Sequence, residues 1–200
     1  MTNDILSKIV DYQILRSDWM RDVGFFSGKM GIVTALYFYA ACNRDEVLND
    51  YAWELYQQVL DGVNSNMSLG LNTGLAGIGY ATSLLRKSGV IECSLNDVLS
   101  EVDQKIMERD PRRLSDMSVK SGTSGLLMYI DLRQSIEPIT TFDSLFITEL
   151  KNAIKDETVD LKKDIIDILT VPSFDMADYL EKPLNIDGGS AYFLLKASLT

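Results

Sequence analysis

The chain has 200 residues, enough for one domain with a real core or at most two small ones. Hydrophobic residues make up 46% and charged ones 24%, a globular rather than a disordered balance. The net charge of −10 speaks against a nucleic-acid surface, which needs clustered Lys and Arg. Here the basic residues are scattered, in pairs at most, such as Arg112-Arg113 and Lys162-Lys163.

In chain order, Ile5, Ile9, Tyr12 and Leu15 or Trp19 mark a first amphipathic helix at helical spacing. The stretch FFSGKMGIVTALYFYA from Phe25 reads as a helix apolar on most sides. Val47, Leu48, Tyr51, Leu55 and Val59 mark an amphipathic helix starting near Asp45. LNTGLAGIGYATSLL, Leu71 to Leu85, is again apolar all round. Ser94 with Asp97 three residues on is a helix start, followed by Leu95, Val98, Val102 and Ile106. A third apolar stretch, VKSGTSGLLMYIDLR, begins at Val119. Phe142 to Ile154, Val159 to Leu169 and Phe174 to Leu180 are further helical candidates, and NIDGGSAYFLLKA from Asn185 closes the series. Pro111, Pro138, Pro172 and Pro183 all fall between these segments, where helices stop. No run alternates as a strand does, so the expected fold is all-α.

Some residue types are telling by absence. The chain has no histidine, the usual proton shuttle near neutral pH and the commonest metal ligand. Its two cysteines, Cys42 and Cys93, form no C-x-x-C pair and are expected to be buried small apolar residues. The longest apolar run, Met30 to Cys42, is broken by Thr34 and falls short of the ~18 residues of a spanning helix. The opening residues lack the basic start and apolar middle of a signal peptide. The expectation is a cytoplasmic protein with neither a nucleic-acid nor a membrane partner.

Four of the stretches are copies of one motif: a small or polar residue, then G-x-x-G or G-x-x-A, then an apolar helix. The pairs are Gly28/Gly31, Gly74/Gly77, Gly122/Gly125 and Gly188/Ala191. Eleven of the 13 glycines lie in or beside these motifs. Apolar helices alternate with more polar ones, the pattern of an inner arc wrapped by an outer layer. Glycine there either gives a tight turn with positive φ or leaves a bare face for a neighbouring helix. In the second copy the expected N-cap is Asn72 or Thr73, with Gly74 and Gly77 on the bare face. GLAGIG also matches a bare phosphate-loop pattern, but no strand precedes it and no Lys-Ser/Thr follows. The repetition favours architecture.

These motifs, SLGLNTGLAGIGYATSLL above all, resemble the lanthionine synthetase C-like family. The resemblance runs from about Gly24 to the C-terminus and implies an α/α toroid of helical hairpins. It also implies a relation to cyclases that add cysteine thiols to dehydrated Ser or Thr side chains of a precursor peptide. In that family a zinc held by two cysteines and a histidine, directly before the late G-x-x-G glycines, generates the thiolate. The corresponding pairs here are Phe26-Ser27, Asn72-Thr73, Lys120-Ser121 and Ile186-Asp187. None is Cys or His, so no catalytic residue, metal ligand or cofactor is expected. About four hairpins are present where a family toroid needs six or seven. The chain therefore reads as a single domain over residues 1–200, a partial ring incomplete relative to the family. Apolar surface at its ends would be covered by a partner or by self-association closing the ring.

Asn72, Thr73, Lys120, Ser121 and Asp187 are the candidate ligand-binding residues, on the expectation that they meet at one mouth of the arc. Helix capping is the competing reading of all but Lys120. The resemblance implies a non-catalytic role, binding a precursor peptide or a modification enzyme. One alternative is a carboxylate-dependent, glycosidase-like hydrolase using Asp22, Asp116 or Asp187. Another is the N-terminal part of a zinc-dependent cyclase whose metal-binding repeats are absent here. Tyr80, Tyr129 and Tyr192 are read as core aromatics.

Overall fold

The computed structural model describes residues 2–139, 141–154 and 164–199. Its α-helices are α1 (Thr2–Ser17), α2 (Lys29–Asn43), α3 (Glu46–Asp61), α4 (Leu75–Lys87), α5 (Leu95–Met107), α6 (Thr123–Ile136), α7 (Ser144–Ala153), α8 (Ile165–Ile168) and α9 (Ala191–Leu199). Single 3-10 turns lie at Pro111–Arg113 and Met176–Asp178. No strand occurs among the described residues, as expected. Among them, too, no helix is long and apolar enough to cross a membrane. The chain divides into two compact units, Met1–Gly62 with Asp164–Thr200, and Val63–Lys163.

In the first unit α2 packs on both α3 and α9, and α1 packs on α9 and α2. Met30, Ile32, Val33, Ala35 and Leu36 of α2 are all fully buried, as a helix without a polar face requires. The outer helices are amphipathic, but their buried stripes differ in detail from the expectation. On α1 the buried side chains are Leu6, Ile9, Val10, Gln13 and Ser17, while Leu15 is 73% exposed and Trp19 lies exposed beyond the helix end. On α3 they are Leu48, Ala52, Leu55, Tyr56 and Val59, with Val47 81% exposed. Asp45 starts α3 as its N-cap, its carboxylate accepting the Leu48 N–H at 3.0 Å.

In the second unit α4 packs on α6 and α5, and α7 packs on α6 and the Pro111–Arg113 turn. The expected start of α5 is present, Ser94 Oγ accepting the Asp97 N–H at 3.3 Å. A second cap arrives from the end of α6: the Glu137 carboxylate accepts the N–H groups of Leu95 at 2.9 Å and Asn96 at 3.1 Å. An anion at a helix N-terminus also suits the helix dipole. Asp143 caps α7 at Leu145 N–H, so the helix expected over Phe142–Ile154 is slightly shorter.

One expected helix is described only in part, and another contracts. Of Val159–Leu169, residues 159–163 lie outside the described residues, and the remainder holds only Ile165–Ile168. Phe174–Leu180 forms just the Met176–Asp178 turn. Phe174, half-buried, instead sets its ring edge-on to that of Phe193 at 5.7 Å between centroids.

Candidate functional site

Each G-x-x-G copy begins with a loop that folds back over the start of its own helix. The N–H groups of Lys29, Leu75, Thr123 and Ser190 donate to the carbonyls of Asp22, Ser68, Asp116 and Pro183, each seven residues upstream, at 2.8 to 2.9 Å. Further N–H groups follow the same rule, Ala76 to Leu69 and Ala191 to Leu184, both at 3.2 Å. The orphan donors of a helix N-terminus are therefore met by the chain's own carbonyls. Gly28, Gly74 and Gly122 are the N-caps and make no side-chain cap bond. The expectation of Asn72 or Thr73 as N-cap is corrected accordingly. These glycines have φ between −118° and −107°, ordinary extended backbone, so a positive-φ turn is not their reason. The loop crosses so closely that a Cβ would strike backbone: on Gly122, for example, that of Asp116.

The same bond fixes the register of the last copy. The residue matching Gly28, Gly74 and Gly122 is Gly189, where a Cβ would meet the Asn185 side chain at 2.5 Å and the Pro183 carbonyl at 2.6 Å. Gly188, at φ +81°, has open space around it. The pairing of Gly188 with Ala191 is thus off by one residue, and the dipeptide before the glycine is Asp187-Gly188, not Ile186-Asp187.

The loops pair within each unit in one way. Leu71, fully buried, packs its side chain where a Cβ of Gly125 would stand, and Ile186 does the same at Gly31. Beside these contacts the Asn72 N–H donates to the Lys120 carbonyl at 2.8 Å, and the Asp187 N–H to the Phe26 carbonyl at 3.2 Å. Asn72, Thr73, Lys120 and Ser121 therefore come together in the second unit. Asp187 belongs to the first unit, where its carboxylate accepts the Thr170 N–H at 2.6 Å. The Thr73 hydroxyl lies 3.2 Å from that of Ser68, within its own loop.

Ser121 lines a cavity. It borders a pocket of about 240 Å³ together with Leu69, Leu114, Leu126, Arg113, Ser115, Asp116 and Thr123. The Asp116 carboxylate accepts the Ser118 N–H at 2.8 Å, which builds the turn and holds its carboxyl below the ordinary value. Asp22 does the equivalent job for the Gly24 N–H at 2.8 Å. A hydrolase needs one acid with a raised pKa, and Asp116 is displaced in the opposite direction. The pocket's lining residues Arg113 and Ser115 carried no signal in the sequence, because only the fold-back of the loop brings them beside Ser121.

A buried polar cluster lies elsewhere in the same unit. Asp103 of α5 has no exposed surface and accepts the Tyr129 hydroxyl and, at 2.5 Å, that of Thr141. Burial raises its pKa against the pull of these donors and of Arg133, whose Nε lies 3.8 Å away. Tyr129, read from the sequence as core packing only, is pushed well up by its own burial and by Asp103.

The family's zinc donor set of two cysteines and a histidine is not present at the pre-glycine positions of this chain, which has no histidine. None of the four pre-glycine dipeptides offers a thiolate or an imidazole. Among the described residues no group of three or more His, Cys, Asp or Glu could hold a metal ion. Cys42 is exposed, its Sγ donating to the Ser198 carbonyl at 3.4 Å, against the expectation that it is buried. Cys93 is half-buried in the other unit, and burial pushes its thiol up, away from the thiolate.

No curated protein and no solved structure matches the chain significantly. The family model for lanthionine synthetase C-like proteins matches residues 20–170, which takes in the first three copies of the motif. The fourth copy lies beyond that match but carries the same fold-back bond and the same contact onto a neighbouring glycine. With three quarters of its length matched and its inner helices built on one repeated loop, the chain belongs to the lanthionine synthetase C-like family.

Proposed function

We propose that this chain is a peptide- or partner-binding member of the family, acting in lanthipeptide-type modification of ribosomal peptides without running the zinc-dependent cyclisation itself. The observation that carries the reading is the pocket beside Ser121. It joins three leucines to hydroxyls, one carboxylate and the Arg113 guanidinium, a lining suited to holding a peptide side chain. Thioether formation needs a thiolate, and an ordinary thiol near pKa 8.5 reaches it at neutral pH only with a metal or a matched base. Asp116, held low, is a weak base, and the chain has no histidine. The binding partner is a precursor peptide or a modification enzyme.

The test is a titration of fluorescently labelled linear precursor-type peptide into the full chain, read by anisotropy. Ser121→Trp fills the pocket from an exposed position. It is expected to weaken binding at least tenfold while the melting temperature stays within a degree or two. In parallel, a peptide carrying both a dehydroalanine and a cysteine is incubated with the chain and zinc. Accelerated thioether formation would overturn the non-catalytic reading, and undiminished binding by S121W would overturn the placement of the site.

A further inference from the structure

The lining of the pocket beside Ser121 joins the apolar Leu69, Leu114 and Leu126 to the polar Asp116, Ser115 and Ser121. Its volume of about 240 Å³ admits one long side chain rather than a run of peptide. Arg113 also reaches the rim, but its side chain is 87% exposed and its Nε is directed to Asp110, 3.6 Å away. Asp116 is the one carboxylate of the lining and is exposed, and the Ser118 groups that bind it occupy only part of its acceptor capacity. The chain as a whole carries a net charge of −10 and attracts cations at range.

We propose that this pocket takes a basic side chain, lysine or arginine, of a bound peptide. The aliphatic stem lies along Leu69, Leu114 and Leu126, and the cationic head meets the Asp116 carboxylate and the hydroxyls beside it. A long basic side chain is the residue type that pairs an apolar stem with a charged tip, and this lining offers leucines for the one and a carboxylate with hydroxyls for the other. The inference rests on the peptide-binding reading above and adds to it the charge of the segment bound.

The experiment compares capped peptides identical except at one position, lysine or norleucine, titrated against the full-length chain at low salt. The lysine peptide is expected to bind at least tenfold more tightly, with the advantage shrinking as salt is raised. Asp116→Asn keeps an oxygen to accept the Ser118 N–H, so the turn survives while the charge is lost, and the lysine advantage is expected to disappear. Arg113→Gln, at an exposed position, removes a repelling charge and is expected to strengthen lysine-peptide binding two- to threefold. Equal affinity for lysine and norleucine would overturn this inference and leave peptide binding standing; absence of binding by either peptide would overturn both. Should D116N fail to fold, R113Q decides, since unchanged or weakened binding counts against the proposal.

Discussion

Asp103 shows how one buried carboxylate ties three pieces of the second unit together. It projects from α5, takes a hydroxyl from Tyr129 on α6 and another from Thr141 before α7, and lies beside Arg133. Arg133 is equally buried, with its terminal nitrogens on Glu137 at 3.1 Å and Asn96 at 2.6 Å. Its Nε makes no hydrogen bond among the described residues, so the pair is held by charge across 3.8 Å rather than by a direct bond. Burial is the largest influence on Asp103 and raises its pKa above the ordinary 3.8. The folded chain thus holds this proton more tightly than the unfolded chain does. The stability contributed by that proton is complete below about 3.8 and is lost as pH rises through the folded value. Asp103→Asn cannot titrate, and every other carboxylate is common to both proteins. The stability of wild type relative to D103N is therefore expected to rise as pH falls from about 7 to about 4, read as urea midpoints. A constant difference would mean that Arg133 and the two hydroxyls cancel the effect of burial, and a difference that falls with pH would mean that they outweigh it.

At the scale of elements, the contact of α4 with α6 depends on a glycine inside a helix. A Cβ on Gly79 would run into the ring of Tyr129 and come within 2.6 Å of its hydroxyl. That ring cannot retreat, because its hydroxyl is bound to Asp103 and its edge packs on Phe142 at 5.8 Å between centroids. Gly79→Ala gains about 1 kcal/mol of helix propensity but overpacks a fixed site at about 1–3 kcal/mol. The expected outcome is a net loss of stability, seen as a lowered melting temperature. A raised one would show that α6 can shift away from α4. The sequence made this much legible: GLAGIG opens an inner helix, and its glycines serve close approach. What each glycine approaches was not legible. Gly74 is pressed by its own loop, Gly79 by a tyrosine half a domain away in the chain, and nothing local distinguishes them. The cap expectation for Asn72 and Thr73 failed for a related reason. Side-chain capping is a local rule, whereas here carbonyls seven residues upstream meet the first N–H groups. In the last copy the doublet Gly188-Gly189 satisfied the pattern in either register, and only the Ser190 to Pro183 bond separates the two.

At the scale of the whole molecule, the copies pair second with third and first with fourth, so one pair is local and the other joins the two ends of the chain. The first pair is held by Leu71 over Gly125, the second by Ile186 over Gly31. Gln13 of α1 reinforces the latter, its Nε2 donating to the Leu184 carbonyl at 3.0 Å and to Ser190 Oγ at 2.8 Å. In repeat architectures stability is a sum of each repeat and its interfaces, and a missing neighbour exposes an apolar face. Deleting residues 185–200 removes Ile186, Ser190 and all of α9, and so one whole flank of α2. The buried Gln13 loses a partner at the same stroke, which costs more than the bond itself contributed. The second unit keeps both members of its pair. Hydrogen exchange of the shortened chain is therefore expected to lose protection over α2 by an order of magnitude or more, with α4 and α6 nearly unchanged. Unchanged protection of α2 would show that its pairing with α9 adds no stability. Loss over all three helices would show that the two pairs unfold as one block rather than separately. The separate outcome follows from the placement of the contacts, since the bonds and burial that define each pair lie wholly inside one compact unit.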